Sequence, residues 1–228
     1  MQPLAVIIPW RDSGDQERRD NLAYVHEYYL GLEIGPVIVA GDGVSSGSFN
    51  RSAAYNRGMA QVEAETYLWN EADTLLPAEQ IEEAVTLARS EPGNVLPFTE
   101  RHELDPAQTR SVLRGRADPF MMQGGAAILP DRSSIGQAGV TSRQTIDLIG
   151  GHWDESFSGW GYDDNAMHHI FATLAGAPRW VGGKGIHLYH QPGFVSPTTV
   201  QAEATERNAQ RFRNLCALSP QDLRKELA

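Results

Sequence analysis

Short apolar runs alternate with amphipathic stretches through the first ninety residues. Leu4 to Pro9, reading LAVIIP, is a continuous apolar run rich in β-branched residues, the pattern of a strand covered on both faces of a parallel sheet. Pro36 to Ala40 (PVIVA) repeats the pattern, and Thr66 to Asn70 gives a third strand. Leu22, Val25 and Tyr29 fall at helical spacing within Asp15 to Leu30, and Gly31 is placed to end that helix. A second helix is predicted over Phe49 to Val62, after a Gly- and Ser-rich loop. Ile81, Ala84, Val85 and Ala88 recur at i, i+3, i+4 and i+7, so Pro77 to Ser90 is a third, with proline in its first turn. Strand and helix alternating three times calls for right-handed crossovers. The fold class is therefore α/β: a mostly parallel, doubly wound sheet with helices on both faces, in a single domain.

Beyond residue 90 the pattern is harder to read. Asn94 to Pro97 reads as a fourth strand. Glu100 to Pro119 is charged and interrupted by Pro106, Gly115 and Pro119, which predicts an exposed excursion. Met121 to Leu129 is a strand broken by Gly124 and Gly125, and glycines there often mark a close backbone approach to a ligand. Asp131 to Val140 is a polar loop, after which Ser142 caps a short helix stopped by Gly150 and Gly151. Met167, Ile170, Phe171 and Leu174 define a helix whose first turn holds Asp163 and Asp164. Two short strands (Arg179 to Gly183, Gly185 to His190), a long polar helix from Thr198 to Leu215 and a final short helix complete the chain.

Composition narrows the function classes. The chain has 228 residues, enough for one sizeable core. Its formal net charge of -10 disfavours a nucleic-acid partner. The lone Cys216 has no internal disulfide partner, and no apolar run approaches membrane-spanning length, so a soluble, cytoplasmic protein is expected. Neither a Walker loop nor a dinucleotide fingerprint is present.

Candidate chemistry collects at strand ends. In open α/β sheets ligands bind beyond the carboxyl ends of the strands, where this sequence places Arg11, Asp42 and the pair Glu71 and Asp73. Two carboxylates at i and i+2 on the mouth of a buried strand are costly unless a cation lies between them. A divalent metal binding a nucleotide diphosphate satisfies both, and an acidic turn capping the next helix is the alternative. A second acidic cluster, GWGYDD, holds Trp160 between Gly159 and Gly161 just before Asp163 and Asp164, where the positive end of a helix dipole favours ionised carboxylates. His187 reads equally as a ligand or as strand filler, whereas His190, at a strand end, reads as a ligand. His168 and His169 read as packing residues.

Taken in order, PWRD (Pro9 to Asp12), AGD (Ala40 to Asp42), FNR (Phe49 to Arg51), Glu71-x-Asp73, the Gly124-Gly125 pair and GWGYDD resemble the metal-dependent GT-A glycosyltransferases. The nearest likeness is to the β-1,4-galactosyltransferase group, then to the polypeptide N-acetylgalactosaminyltransferases. The resemblance runs from the first strand to about His190. It implies a glycosyltransferase domain over 1–195, with a nucleotide-binding half at 1–97 and an acceptor and catalytic half at 120–195, followed by a helical extension at 196–228. By the same resemblance Arg11, Phe49 and Arg51 contact the nucleotide diphosphate, Asp42 lies near the nucleoside, and Glu71, Gly125 and Trp160 complete the nucleotide-sugar site. Asp73, His190 and His187 correspond to metal ligands for Mn2+ or Mg2+, Asp164 to the catalytic base, and Asp163 to its acidic neighbour. Glu71, Asp163 and Tyr162 depart from the family pattern, which has Asp, Glu and Gly at these positions.

The expected activity is metal-dependent transfer of a sugar from a nucleotide donor, a UDP-sugar, to a hydroxyl of a glycan, protein or small molecule, with inversion and Asp164 as base. A retaining transferase of the same fold, a nucleotidyltransferase, a metal-dependent hydrolase and a non-catalytic nucleotide-sugar-binding module are the alternatives. A nucleotidyltransferase is disfavoured by the acidic stretch Asp12 to Asp15, where a basic pyrophosphate loop belongs.

Overall fold

Leu4, Val6 and Ile8 of the first strand, β1 (Gln2–Pro9), point into one apolar layer, and Ala5 and Ile7 point into another. That alternation is the period-two geometry of a strand, and it makes β1 the centre of a three-layer sandwich. One layer is closed by Val25 and Tyr29 of α1 (Gln16–Gly31) and by Ile81, Ala84 and Ala88 of α3 (Ala78–Ser90). The other is closed by Tyr55 and Met59 of α2 (Arg51–Met59), Ile146 of α5 (Arg143–Leu148), and Met167, Ile170 and Phe171 of α6 (Asp163–Leu174). The five β1 residues are almost fully buried. Burying a large apolar side chain contributes about 1.5–3 kcal/mol, so this strand anchors both cores. The structure is a computed structural model and describes residues 2–128, 136–191 and 199–227.

Five more strands join β1: β2 (Val37–Ala40), β3 (Ala64–Asn70), β5 (Val95–Leu96), β8 (Ala138–Ser142) and β9 (Arg179–Trp180). Their order is β2-β1-β3-β8-β5-β9. β2 and β3 both run parallel to β1, as expected from the strand and helix alternation. Past β3 the sheet is mixed: β8 is antiparallel to β3 and to β5, and β5 is parallel to β9. A second sheet is formed by β4 (Thr74–Leu75), β6 (Glu100–Glu103), β7 (Gly125–Ile128) and β10 (Lys184–His187), in the order β4-β10-β6-β7.

The charged segment after Glu100 is not an excursion but β6 followed by α4 (Pro106–Leu113). Pro106 starts the helix instead of breaking it, because the first helical position needs no N–H donor. Asp105 caps it, accepting from the backbone N–H groups of Ala107 at 2.7 Å and Gln108 at 2.8 Å, while the Gln108 side chain accepts from Asp105 N at 2.9 Å. The loop expected over Asp131 to Val140 ends in β8 from Ala138; residues 131–135, with Leu129 and Thr198 at the ends of two other predicted elements, lie outside the described residues. At the C-terminal end come α7 (Thr199–Cys216) and α8 (Pro220–Glu226). Leu215, Leu223 and Leu227 pack in the same apolar cluster as Ile146, Ile149 and Trp153. Among the described residues, no helix is long and apolar enough to cross a membrane.

Candidate active site

Parallel register brings the first three strand ends together. Pro9 pairs with Ala40, and Ile7 with Trp69, so the residues just past them share one edge of the sheet. Arg11 lines an open cleft there of ≈ 1440 Å³ with Phe49, Arg51, Glu71, Asp73, Trp160, Asp163, Asp164 and His190. That exceeds the roughly 300–1,000 Å³ of an ordinary small-molecule pocket, and leaves space for two substrates side by side.

The Arg11 guanidinium donates to the carbonyl of Gly47 at 2.8 Å and of Ser46 at 3.3 Å, lies 3.4 Å from Asp42, and sits 5.5 Å from the Phe49 ring centre. Asp42 is buried behind it and accepts from Asn50 N at 3.0 Å, so it braces the loop instead of lining the cleft. Gly125 pairs with Glu103 on β6, which pairs in turn with His187 on β10. It therefore lies two strands from His187, on the outer strand of the second sheet.

Asp73 meets the two histidines through that second sheet. β4 pairs antiparallel with β10 in the register His187 to Thr74, and Leu188 N donates to Asp73 O at 2.8 Å. The chain beyond is pinned by Asn21, whose amide donates to Tyr189 O at 3.0 Å, and by Tyr189 N donating to Thr109 Oγ1 at 2.9 Å. His190 Nε2 consequently lies 3.1 Å from one Asp73 oxygen and His187 Nε2 3.5 Å from the other. One ligand atom from each residue lies within 4.8 Å of the others, a spacing one ion can span. His190 Nδ1 faces Gln191 O at 2.9 Å, the second contact that orients a metal-binding imidazole and leaves Nε2 for the ion. Burial pushes the Asp73 carboxyl up, but His187 and His190 outweigh it and hold it below its ordinary value. Burial likewise lowers His190, and Asp73 reverses this and raises it. A carboxylate between two imidazoles suits a divalent cation taking mixed oxygen and nitrogen ligands, so the residues fit Mn2+.

Opposite stands a carboxylate cluster built on Arg51, the first residue of α2. Its Nε and Nη2 donate to Asp163 Oδ2 at 2.9 and 2.7 Å, Nη2 lies 2.5 Å from Asp164 Oδ1, and Nη1 pairs closely with Glu71. One guanidinium thus holds three carboxylates, one just past the end of β3 and two at the start of α6. Burial works against its charge and the three acids overcome that, raising Arg51 further above its already high value. The acids outnumber the cation. Burial chiefly, with Asp163 and Glu71 adding to it against Arg51, raises the Asp164 carboxyl to about 7. Glu71 is spent on Arg51, whereas Asp73 belongs to the histidine cluster.

Trp160 is 64% exposed, on a turn whose flanking Gly159 and Gly161 have φ of +80° and +97°. Tyr162 follows at φ +68°, in the left-handed region, at a cost of about 1–3 kcal/mol. Glycine, the usual residue there in the resembled family, carries no such cost. Sequence reasoning missed Arg18 and Gln201, which also line the cleft. Arg18 has no ion pair among the described residues, yet it is close enough to Asp73 to help lower that carboxyl. A signal was available: Arg18 sits in the first turn of α1, where the helix dipole disfavours a cation unless an anion comes to meet it.

No family model matches the sequence, and no curated protein matches it. Solved structures do match the fold. The catalytic domain of Drosophila β1,4-galactosyltransferase 7 in complex with xylobiose superposes with a TM-score of 0.58 at 13% identity, over 90% of this chain and 79% of that one. A mutant of that enzyme, in complex with manganese, UDP-Gal and xylobiose, gives 0.56 at 13% over the same shares. S. aureus TarS in complex with UDP-GlcNAc gives 0.61 at 12%, over 97% of this chain and 69% of that one. The chain has the GT-A fold of these glycosyltransferases.

Proposed function

We propose that the protein is a metal-dependent glycosyltransferase that moves a sugar from a UDP-linked donor to a hydroxyl of a second sugar. The observation that carries this reading is the convergence, in one cleft of a GT-A fold, of Asp73 and His190, which group with His187, and the Arg51-held acids. Manganese and UDP-Gal in the complex of one structural neighbour, and UDP-GlcNAc in that of another, support the donor class.

Asp73, His190 and His187 would hold the metal. When bound, the ion supplies positive charge against the diphosphate leaving group. Arg18 and Arg11 face the same diphosphate, and the Arg11 and Phe49 pair marks the nucleoside end. Arg51 keeps Asp163, Asp164 and Glu71 in one cluster. Trp160 offers an exposed ring face to a sugar. Asp164, as the carboxylate, takes the acceptor proton while the acceptor oxygen bonds to the anomeric carbon and the bond from that carbon to the diphosphate breaks. A direct displacement of this kind inverts the anomeric configuration.

The test is mass spectrometry of UDP- and GDP-sugars incubated with the protein and Mn2+, with and without simple glycosides. Metal-dependent loss of a UDP-sugar is expected, and the anomeric coupling in a proton NMR spectrum of the product should show inverted configuration. Asp164→Asn should lower turnover by about 10²- to 10⁴-fold, the usual worth of a positioned general base, while UDP still binds. Donor consumption that ignores both metal and this substitution would overturn the assignment, and a retained anomer would replace the direct displacement.

A further inference from the structure

The turn carrying Trp160 and leading into Asp163 is tied to α2's approach by Gly159 N, which donates to Phe49 O at 2.9 Å, and to α7 by a row of side chains. The Asn208 amide, 4% exposed, donates from Nδ2 to Ser158 O at 3.2 Å and to Gly161 O at 3.0 Å. Thr205 Oγ1 lies 3.2 Å from Trp160 O. Farther along, the Arg211 guanidinium donates to Ser156 Oγ at 3.0 Å and pairs with Asp154 at 3.1 Å, and the Phe212 ring lies 5.8 Å from that of Tyr162. These positions recur at helical spacing, so one face of α7 is given over to this turn.

Building on the transferase reading, we propose that Asn208 is a positioning residue. Its two amide hydrogens bracket Trp160 by holding the carbonyls on either side, which fixes the turn's width and the start of α6 on which Asp163 and Asp164 stand. The helix that the sequence sets apart as an extension is then a wall of the site. Gln201 and Thr205, from the same helix, line the cleft with uncharged hydrogen-bonding groups. The left-handed Tyr162 fits this account, since a strained backbone persists only where its surroundings over-determine it.

Asn208→Asp keeps the size of the side chain and removes both donors. In protein labelled with fluorotryptophan, five fluorine resonances are expected from the five tryptophans, with that of Trp160 assigned by Trp160→Phe. Asn208→Asp should shift or broaden the Trp160 resonance and leave those of Trp10, Trp69 and Trp180 in place. With donor and acceptor sugars present, turnover should fall about tenfold or more while the affinity for UDP with Mn2+ stays within about twofold, as expected for loss of an interaction that acts at the transition state. An unmoved Trp160 resonance, or all resonances moving together with a lowered Tm, would refute the positioning role. If Asn208→Asp does not fold, Thr205→Val, which removes one hydroxyl donor at constant shape, is read in the same way. The resonance measurement needs no substrate. It decides this proposal even where no UDP-sugar is consumed, an outcome that counts against the transferase reading alone.

Discussion

The groups that line the cleft are positioned in two different ways. Arg11, Glu71 and Asp73 stand just past the ends of β1 and β3, whose residues are buried on both faces and whose register is set by paired backbones. Trp160, Asp164 and His190 stand on or just after irregular turns held by side chains from far along the chain: Asn208, Asn21 and Arg51. Strand ends are placed by many shared bonds, so one substitution there removes a charge but leaves the geometry. The turns depend on a few bonds, so a distant substitution displaces the groups they carry.

Substitutions that break this contrast rank by effect. Asp73→Asn, at a strand end, should abolish measurable Mn2+ binding by titration calorimetry while the melting profile stays cooperative, because β3 and β4 do not depend on that charge. Intact Mn2+ affinity in this variant would remove Asp73 from the metal site.

The Asp164 carboxyl, raised to about 7, predicts a pH effect at a turn-held group. Below that value it is protonated and holds no pair to receive the acceptor proton. Turnover at saturating Mn2+ should therefore rise with pH through about 7 and fall away in acid. Stability should change in the opposite sense. A carboxyl that binds its proton more tightly folded than unfolded gives stability present at low pH and lost as pH rises towards 7, so Asp164→Asn should gain most over the parent above pH 7. Denaturant melts of the two proteins at low and high pH check the sign.

Arg18→Gln should weaken UDP binding by about tenfold, or about 1.4 kcal/mol, the scale of a charge-assisted contact. It should leave stability equal or slightly higher, since it removes a cation from the positive end of α1. A lower Tm with unchanged UDP affinity would make Arg18 structural.

The smallest effect is expected at Tyr162→Gly. Relief of left-handed strain offsets loss of the Phe212 contact, so stability should change by about 1 kcal/mol or less. Turnover should still drop severalfold if the ring helps lock the turn to α7, and steady-state kinetics beside a denaturant melt separate the two.

Much of the fold was legible because its signals are local. The β-branched runs of β1 and β2, the heptad-like spacing in α3 and the aspartates opening α6 depend on neighbours within a turn or two. Glu100 to Leu113 was misread because its charges and Pro106 look like a loop until β10 and β7 cover β6 and Asp105 is seen to cap α4. The site was legible as separate groups: Asp73, His190, Asp164 and Arg51 were each singled out. The family resemblance also grouped Asp73 with His190 and His187, whereas the hold of Arg51 on Glu71, Asp163 and Asp164 was not foreseen. Glu71 and Asp73 are one acidic pair by spacing alone; the resemblance assigns only Asp73 to the metal, and the structure adds that Glu71 pairs with Arg51.

By itself the sequence determined the strands and helices of the first ninety residues, and that charged groups stand where those elements end, since periodicity and capping act over a few residues. Only the tertiary structure decided which charges meet. His187 reaches Asp73 because β10 pairs with β4, and Arg51 gathers acids from the end of β3 and from α6 because both meet the start of α2. Electrostatic pairing depends on distance in space, and chain crossings set that distance.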